Sequence, residues 1–128
     1  MPAYVEWGKK KFAQSPGVQV MNHALSDKDE DKILYFSNRN LGWNTFIKVK
    51  VDGENRNNEL SVKCKSFDKL NEEKLHLNRI DLIKIDTEGF EYKVLRGMIE
   101  TLRGLKEKPL IVCEIGWGKN NPHIHELR

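Results

Sequence analysis

Three carboxylates stand near the ends of two apolar segments in the second half of the chain. Asp86 ends the segment Ile80–Asp86, Glu88 follows two residues later, and Glu114 nearly ends Leu110–Ile115. Charged carboxylates that share one edge of a sheet repel each other unless a ligand amine, a metal ion or a substrate hydroxyl compensates. We therefore interpret Asp86, Glu88 and Glu114 as candidates for ligand binding or proton transfer.

A purely structural explanation competes for the acids closest to the following helix. Thr87 is a good helix N-cap, and acids in a first helical turn gain about 0.3–1 kcal/mol from the helix dipole. This explains Glu88 and Glu91 without any ligand. It explains Asp86 less well, because an acid at the end of a buried strand has little access to water. Asp86 is therefore the strongest functional candidate.

A strand–turn–helix–strand unit is predicted to position these side chains. Ile80–Asp86 is a strand, Thr87–Gly89 is a tight connection, and Phe90–Leu105 is a helix with apolar residues three and four apart. Leu110–Ile115 is nearly continuously apolar, which is typical of a parallel strand covered on both faces. Such a unit indicates an α/β fold, in which ligands bind at the carboxyl ends of the strands.

The first half of the chain predicts shorter elements. Tyr4–Gln14 is a helix stopped by Ser15-Pro16-Gly17. Ile47–Val51 alternates apolar residues with lysines, as an antiparallel edge strand does. Two polar segments, Asp27–Lys32 and Asp52–Asn58, are predicted loops. The remaining predicted strands are Val18–Leu25, Ile33–Phe36 and Leu60–Phe67.

Composition excludes several classes of protein. The 128 residues suit one domain, and the net charge of +3 is scattered rather than clustered, which argues against nucleic-acid binding. The chain has no apolar run of the ~18–20 residues that a membrane span needs, and no signal-peptide pattern, so we expect a cytoplasmic protein. Cys64 and Cys113 are expected to be reduced thiols, and His123 and His125 to belong to a tail rather than to a metal site.

The segment Ile80–Glu91 (IDLIKIDTEGFE), followed by Val94–Gly97 (VLRG), resembles the signature of the FkbM-type methyltransferases. Enzymes of this family depend on S-adenosylmethionine and are mostly O-methyltransferases. Lys108–Glu114 (KPLIVCE) resembles the family's Pro-led strand ending in Glu, and Asn22–Asp27 contains its Ala-Leu-Ser-Asp segment. The resemblance covers roughly residues 18–118. Weaker family positions are Gly42–Thr45 and Ser66–Asp68.

The resemblance implies a Rossmann-like methyltransferase fold and a set of roles. Asp86 would face the methionine part of S-adenosylmethionine and the substrate, and Glu114 would lie near the acceptor. Asp86 or Glu88 would orient the hydroxyl of a small-molecule or glycan acceptor for in-line methyl transfer. The implied cofactor-binding residues are Leu25, Ser26, Asp27 and Asp86.

The same resemblance implies that the family's first strand with its glycine-rich turn, and the second strand, would lie before residue 1. We therefore expect residues 1–128 to be a single partial domain with a truncated Rossmann-like sheet, packed helices and extra short antiparallel strands. Alone, it should bind the cofactor poorly. Two alternatives stay open: a non-catalytic module that pairs with a partner or a second copy through an exposed strand edge, or a metal-assisted hydrolase using Asp86, Glu88 and Glu114.

Overall fold

The structure is a computed structural model that describes residues 2–36, 44–48, 58–115, 121 and 124–126. Its helices are α1 (Pro2–Lys11), α2 (Phe67–Leu70), α3 (Glu91–Arg96) and α4 (Ile99–Gly104). Its strands are β1 (Ala24–Leu25), β2 (Glu30–Phe36), β3 (Asn58–Lys65), β4 (Leu82–Ile85) and β5 (Leu110–Cys113). This mixture of helices and small sheets confirms the predicted α/β class. The helix predicted near the N-terminus is also present as α1.

The first sheet has three strands in the order β1-β3-β2. β2 runs antiparallel to β3, from Glu30 opposite Cys64 to Phe36 opposite Asn58. The prediction of a loop over Asp27–Lys32 was therefore wrong in its second half, because backbone pairing with β3 outweighs the polar composition of Glu30–Lys32. The predicted strand Val18–Leu25 is limited to its last two residues, which pair in parallel with the end of β3.

The strand predicted over Leu60–Phe67 ends before its last aromatic residue. Ser66 takes the extended backbone of an N-cap, and its Oγ accepts a hydrogen bond from the backbone N–H of Lys69 at 3.3 Å. Phe67 consequently begins α2 rather than continuing β3. The helical path continues as a π-helical turn over Asn71–Leu75 and ends at His76, whose φ of 52° is left-handed.

The second sheet consists of β4 and β5, which pair in parallel from Leu82 opposite Leu110 to Ile85 opposite Cys113. A strand–helix–strand connection was therefore predicted correctly here. The prediction that β5 is covered on both faces was wrong, since Leu110 is 66% exposed and Ile111 and Val112 are exposed as well. Among the described residues, β5 has one strand neighbour, β4, and its outer edge has none.

The helix predicted over Phe90–Leu105 is divided into α3 and α4 at Gly97 and Met98. The side chain of Asp68 on α2 supplies the start of α4, since its carboxylate accepts hydrogen bonds from the N–H groups of Glu100 (3.1 Å) and Thr101 (2.7 Å). A second chain segment therefore caps α4 and ends the continuity that the apolar spacing predicted.

The core cluster lies where α3 meets β4 and contains the buried side chains Ile85, Phe90, Val94 and Met98. The rings of Phe46 and Phe90 are 4.9 Å apart with a tilt of 54°, which fixes the residues around Thr45 against α3. Part of the predicted strand Ile47–Val51 lies outside the described residues. Gly42, Trp43 and His123 also lie outside them. Within the described ranges, none of the helices has the length and apolar character to cross a bilayer.

Candidate functional site

A cavity of about 1110 Å³ lies between the two sheets and is roofed by α3. Its lining is mainly apolar, with polar side chains at the carboxyl end of β4. Residues that line it include Leu25, Leu34, Leu60, Val62, Ile83, Ile85, Asp86, Thr87, Phe90 and Val94. The carboxyl end of a parallel strand is the expected position of a ligand site in an α/β fold.

One side of this cavity is the open edge of β4. The carbonyls of Asp81 and Ile85 accept hydrogen bonds from the N–H groups of Leu110 and Glu114, at 3.0 and 2.9 Å. Because successive peptide groups of a strand face opposite edges, those of Leu82, Lys84 and Asp86 face away from β5. In the described part of the chain β5 is the single strand that pairs with β4, so this edge has no strand partner.

Asp86 lies at the mouth of the cavity rather than in its depth. Its side chain is 42% exposed, and one carboxylate oxygen is 2.6 Å from the ammonium nitrogen of Lys84. This hydrogen bond, with the negative charge of Asp86, raises the pKa of Lys84 above its ordinary value. In the sequence, the alternation of Lys84 with Ile83 and Ile85 in a predicted buried strand indicates either a carboxylate partner, Asp86 or Glu114, or a route to water. In the structure Asp86 is the partner, and Lys84 is itself exposed.

The turn after Asp86 has an uncommon backbone. Glu88 and Gly89 both have positive φ angles, of 51° and 97°. The left-handed conformation costs a non-glycine residue about 1–2 kcal/mol, so the surrounding structure has to hold Glu88 in place. The hydroxyl of Thr45, which is 1% exposed, donates a 2.7 Å hydrogen bond to the carbonyl of Glu88. The residue type at position 89 agrees with its backbone angle, because glycine adopts a positive φ at no steric cost.

Glu91 holds the same turn from the other side. Its side chain is fully buried, and its Oε1 accepts hydrogen bonds from the N–H of Gly89 (2.9 Å) and from the N–H and hydroxyl of Thr87 (3.2 and 3.1 Å). The prediction that Thr87 caps the helix was wrong. The residue at the N-cap position is Phe90, which makes no side-chain capping bond.

Two of the proposed cofactor-binding residues, Ser26 and Asp27, contact β2 and α3 respectively and are not among the residues that line the cavity. Ser26 is fully buried and donates a hydrogen bond to Glu30 at 2.8 Å. Asp27 forms a 2.7 Å ion pair with Lys93. Burial alone would raise the pKa of Asp27, but the hydrogen bond and positive charge of Lys93 outweigh it and lower that pKa.

The structure thus brings together part of the predicted site. Of the predicted residues, Leu25 and Asp86 line the cavity. The described lining does not include Ser26, Asp27, Glu88 or Glu114. Glu114 is exposed at the end of β5, where its N–H is bonded to β4.

Sequence reasoning did not assign a role to Thr45 or to the carboxylate of Glu91. Glu91 had a local signal, since it lies two residues after the turn glycine, but the helix dipole explained it equally well. Thr45 had no local signal, because it is 43 residues away from its partner Glu88.

The described residues contain no group of three or more His, Cys, Asp or Glu side chains arranged to hold a metal ion. Asp86, Glu88 and Glu114 therefore do not meet as a cation would require, and the metal-assisted alternative gains no support from this part of the chain.

Comparison with known proteins gave one match. A protein-family model described as "Methyltransferase FkbM domain" matches residues 3–128, which is nearly the whole chain. Neither the curated proteins nor the solved structures contain a match.

Proposed function

The chain belongs to the FkbM methyltransferase family, and from this we propose that it takes part in the transfer of a methyl group from S-adenosylmethionine to a hydroxyl acceptor. The observation that carries the proposal is the position of Asp86, a carboxylate at the mouth of an apolar cavity and at the carboxyl end of β4. The acceptor class we propose is a small molecule or a glycan.

The cavity suits the shape and charge of S-adenosylmethionine in part. Pockets for molecules of this size occupy about 300–1,000 Å³ and are mostly apolar with a few polar groups. The cavity, at about 1110 Å³, is slightly larger than this range and has the same mainly apolar lining. Leu25 offers an apolar surface for a flat ring, and Asp86 offers a negative charge for an ammonium group. Ser26 and Asp27 are already engaged with Glu30 and Lys93.

Asp86 already binds an amine, since the Lys84 ammonium nitrogen is 2.6 Å from its carboxylate. Lys84 stands where the ammonium group of a ligand would bind. Exposed ion pairs of this kind contribute at most about 1 kcal/mol, so a ligand can displace Lys84 at little cost. The pairing of Asp86 with Lys84 therefore supports a role for Asp86 as an acceptor of a ligand ammonium group, which would displace Lys84.

When bound, S-adenosylmethionine supplies an electrophilic methyl group on a positively charged sulfur. The contribution of this chain is then to align the acceptor and exclude water. Asp86 would accept a hydrogen bond from the acceptor hydroxyl or from the amine of the cofactor. The apolar side chains of Phe90 and Val94 would keep water from the reacting atoms.

Isothermal titration with S-adenosylmethionine tests the proposal, using this chain and a form that continues upstream of Met1. Asp86→Asn should weaken binding by up to about fivefold, because an exposed pair of a carboxylate and an ammonium group contributes at most about 1 kcal/mol. Asp81→Asn is a matched control, since Asp81 lies at the other end of the same strand and is paired with Arg79. If neither form binds the cofactor, the proposal is wrong.

A second candidate function is favoured by the open strand edges. The peptide groups of β4 that face away from β5 have no strand partner among the described residues. Leu82, Leu110 and Val112 are exposed next to these edges. Apolar strand edges recruit other strands, so we propose as the alternative a non-catalytic module in which a second copy pairs through a sheet edge.

Sedimentation velocity at several protein concentrations distinguishes this alternative. If copies pair through the edge of β5, Val112→Lys should shift the protein towards the monomer, because a lysine on an edge strand opposes pairing. Lys63→Arg, on an exposed position of the other sheet, is a control that should leave the association unchanged. A chain that stays monomeric at every concentration removes the reason for this alternative.

A further inference from the structure

The turn that follows Asp86 combines two consecutive residues of positive φ, Glu88 and Gly89. It also determines the direction in which the chain leaves β4, directly after Asp86. A backbone of this kind persists only where surrounding groups hold it.

Glu91 makes the largest set of described contacts to this turn. One of its oxygens accepts hydrogen bonds from the N–H of Gly89, the N–H of Thr87 and the hydroxyl of Thr87, at 2.9–3.2 Å. Its other oxygen is 3.4 Å from the side-chain nitrogen of Asn121. All of these described partners are neutral donors, and the carboxylate is fully buried.

Burial at such a position is not what a helix-dipole role requires. A helix-dipole interaction does not require burial, and Glu100, the acid in the first turn of α4, is exposed. Burying a carboxylate is unfavourable unless it receives hydrogen bonds. The bonds that Glu91 receives come from the turn itself, so the side chain and the turn stabilise each other.

We propose that Glu91 is a positioning residue, whose carboxylate holds the left-handed turn at Glu88 and Gly89 and thereby directs Asp86 towards the cavity. Thr45 holds the opposite side of the turn through the carbonyl of Glu88. The consequence for methyl transfer rests on the proposed function, whereas the role in the turn does not.

Hydrogen exchange measured by NMR tests the role in the turn. In Glu91→Ala, exchange at the Thr87 and Gly89 amides should accelerate at least tenfold more than at Val62, a residue of β3 that reports on global opening. Glu91→Gln keeps an acceptor oxygen and should restore most of the protection. Equal acceleration at Gly89 and Val62 would overturn the proposal, because it would show that Glu91 contributes only to global stability.

Glu100→Ala is the matched control, because Glu100 is an exposed acid in the first turn of the neighbouring helix. It should leave the exchange of Thr87 and Gly89 unchanged. If it accelerates these amides as strongly as Glu91→Ala does, the protection of the turn does not depend specifically on Glu91 and the proposal is wrong.

If Glu91→Ala does not fold, a measurement on the unchanged chain tests the role of Glu91 in the turn. A scalar coupling across the hydrogen bond, between the amide nitrogen of Gly89 and the carboxyl carbon of Glu91, is expected, and its absence would contradict the proposal. Cofactor binding is then compared between the unchanged chain and Glu91→Gln. If neither the unchanged chain nor the form extended upstream binds the cofactor, this counts against the proposed function alone, while the coupling and exchange results still decide the role of Glu91.

Discussion

Replacement of Gly97 by alanine tests the packing that joins α3 to the end of β1. Gly97 lies between the two helices, and its carbonyl accepts a 2.8 Å hydrogen bond from the N–H of Asp68. A Cβ atom added there would lie 2.0 Å from the carbonyl oxygen of Ser26 and 3.2 Å from the Cα of Asp27. Both neighbours are backbone atoms, so no side-chain rotation can relieve the contact.

The expected loss of stability in Gly97→Ala follows from these distances. Carbon and carbonyl oxygen normally approach to about 3.3 Å, so the two segments would have to separate by about 1 Å. Overpacking of this kind costs about 1–3 kcal/mol. The backbone angles of Gly97 (φ −76°, ψ 1°) suit alanine, so the lower conformational entropy of the unfolded chain, which contributes about 0.4–1 kcal/mol, offsets part of that cost. We expect Gly97→Ala to lower the free energy of unfolding by about 1–2 kcal/mol.

Urea denaturation measures this change, and the midpoint should fall by about 1 M. Gly104→Ala is the matched control within the same chain, because a Cβ at Gly104 meets no atom within 4 Å. That variant should be as stable as the unchanged chain or slightly more so. If Gly97→Ala and Gly104→Ala have the same free energy of unfolding, Gly97 does not lie as close to the end of β1 as described.

Three further predictions concern other contacts. Asp68→Ala should lower the free energy of unfolding by about 1 kcal/mol in urea, because α4 loses its cap, and an unchanged midpoint would contradict this. Asp27 has a lowered pKa beside Lys93, so its ion pair stabilises the fold above the ordinary pKa of about 3.9 and is lost as the pH falls through the lowered value. The difference in stability between the unchanged chain and Asp27→Asn should therefore shrink in acid, and a pH-independent difference would refute the pairing. Burial raises the pKa of Cys64 to about 11, so in Cys113→Ser its alkylation should stay slow at pH 8 in the folded chain and become fast in urea; equal rates would contradict its burial.

The parts of the fold that the sequence predicts well are those with strong local patterns. The apolar run of β4, the turn with its glycine at residue 89, and the parallel partner β5 all follow from residue types and their spacing. The pairing of Lys84 with a carboxylate follows from the alternation along β4. These are properties that neighbours in the chain determine together.

The parts that it does not predict depend on contacts between distant segments. Helical periodicity continues through Gly97, yet a new helix, capped by Asp68, begins two residues later at Ile99. The apolar side chains of Leu110 and Val112 predict burial, but both are exposed, and among the described residues no strand pairs with that edge of the sheet. Thr45 reaches Glu88 across 43 residues of sequence, and a single sequence contains no signal for such a contact.

The candidate site also has parts that the sequence predicts and parts that it does not. The position of Asp86 at the end of a parallel strand was predictable from the apolar run before it, and the fold class predicts that ligands bind at that end. The ion pair of Asp27 with Lys93, and the burial of Ser26, depend on how α3 packs on β1. The role of Glu91 required the backbone angles of the turn, which the sequence indicates only through Gly89.

We propose that the cavity between the two sheets binds the cofactor, with Asp86 at its mouth. NMR titration with S-adenosylmethionine carrying a ¹³C-labelled methyl group tests this most directly, since shift changes are visible even for weak binding. We expect shift changes and intermolecular NOEs at the methyl groups of Leu25 and Val94, which line this cavity. Changes confined to Thr101 and Leu105, which line a separate cavity, or no changes at all in this chain and in the form extended upstream, would contradict it.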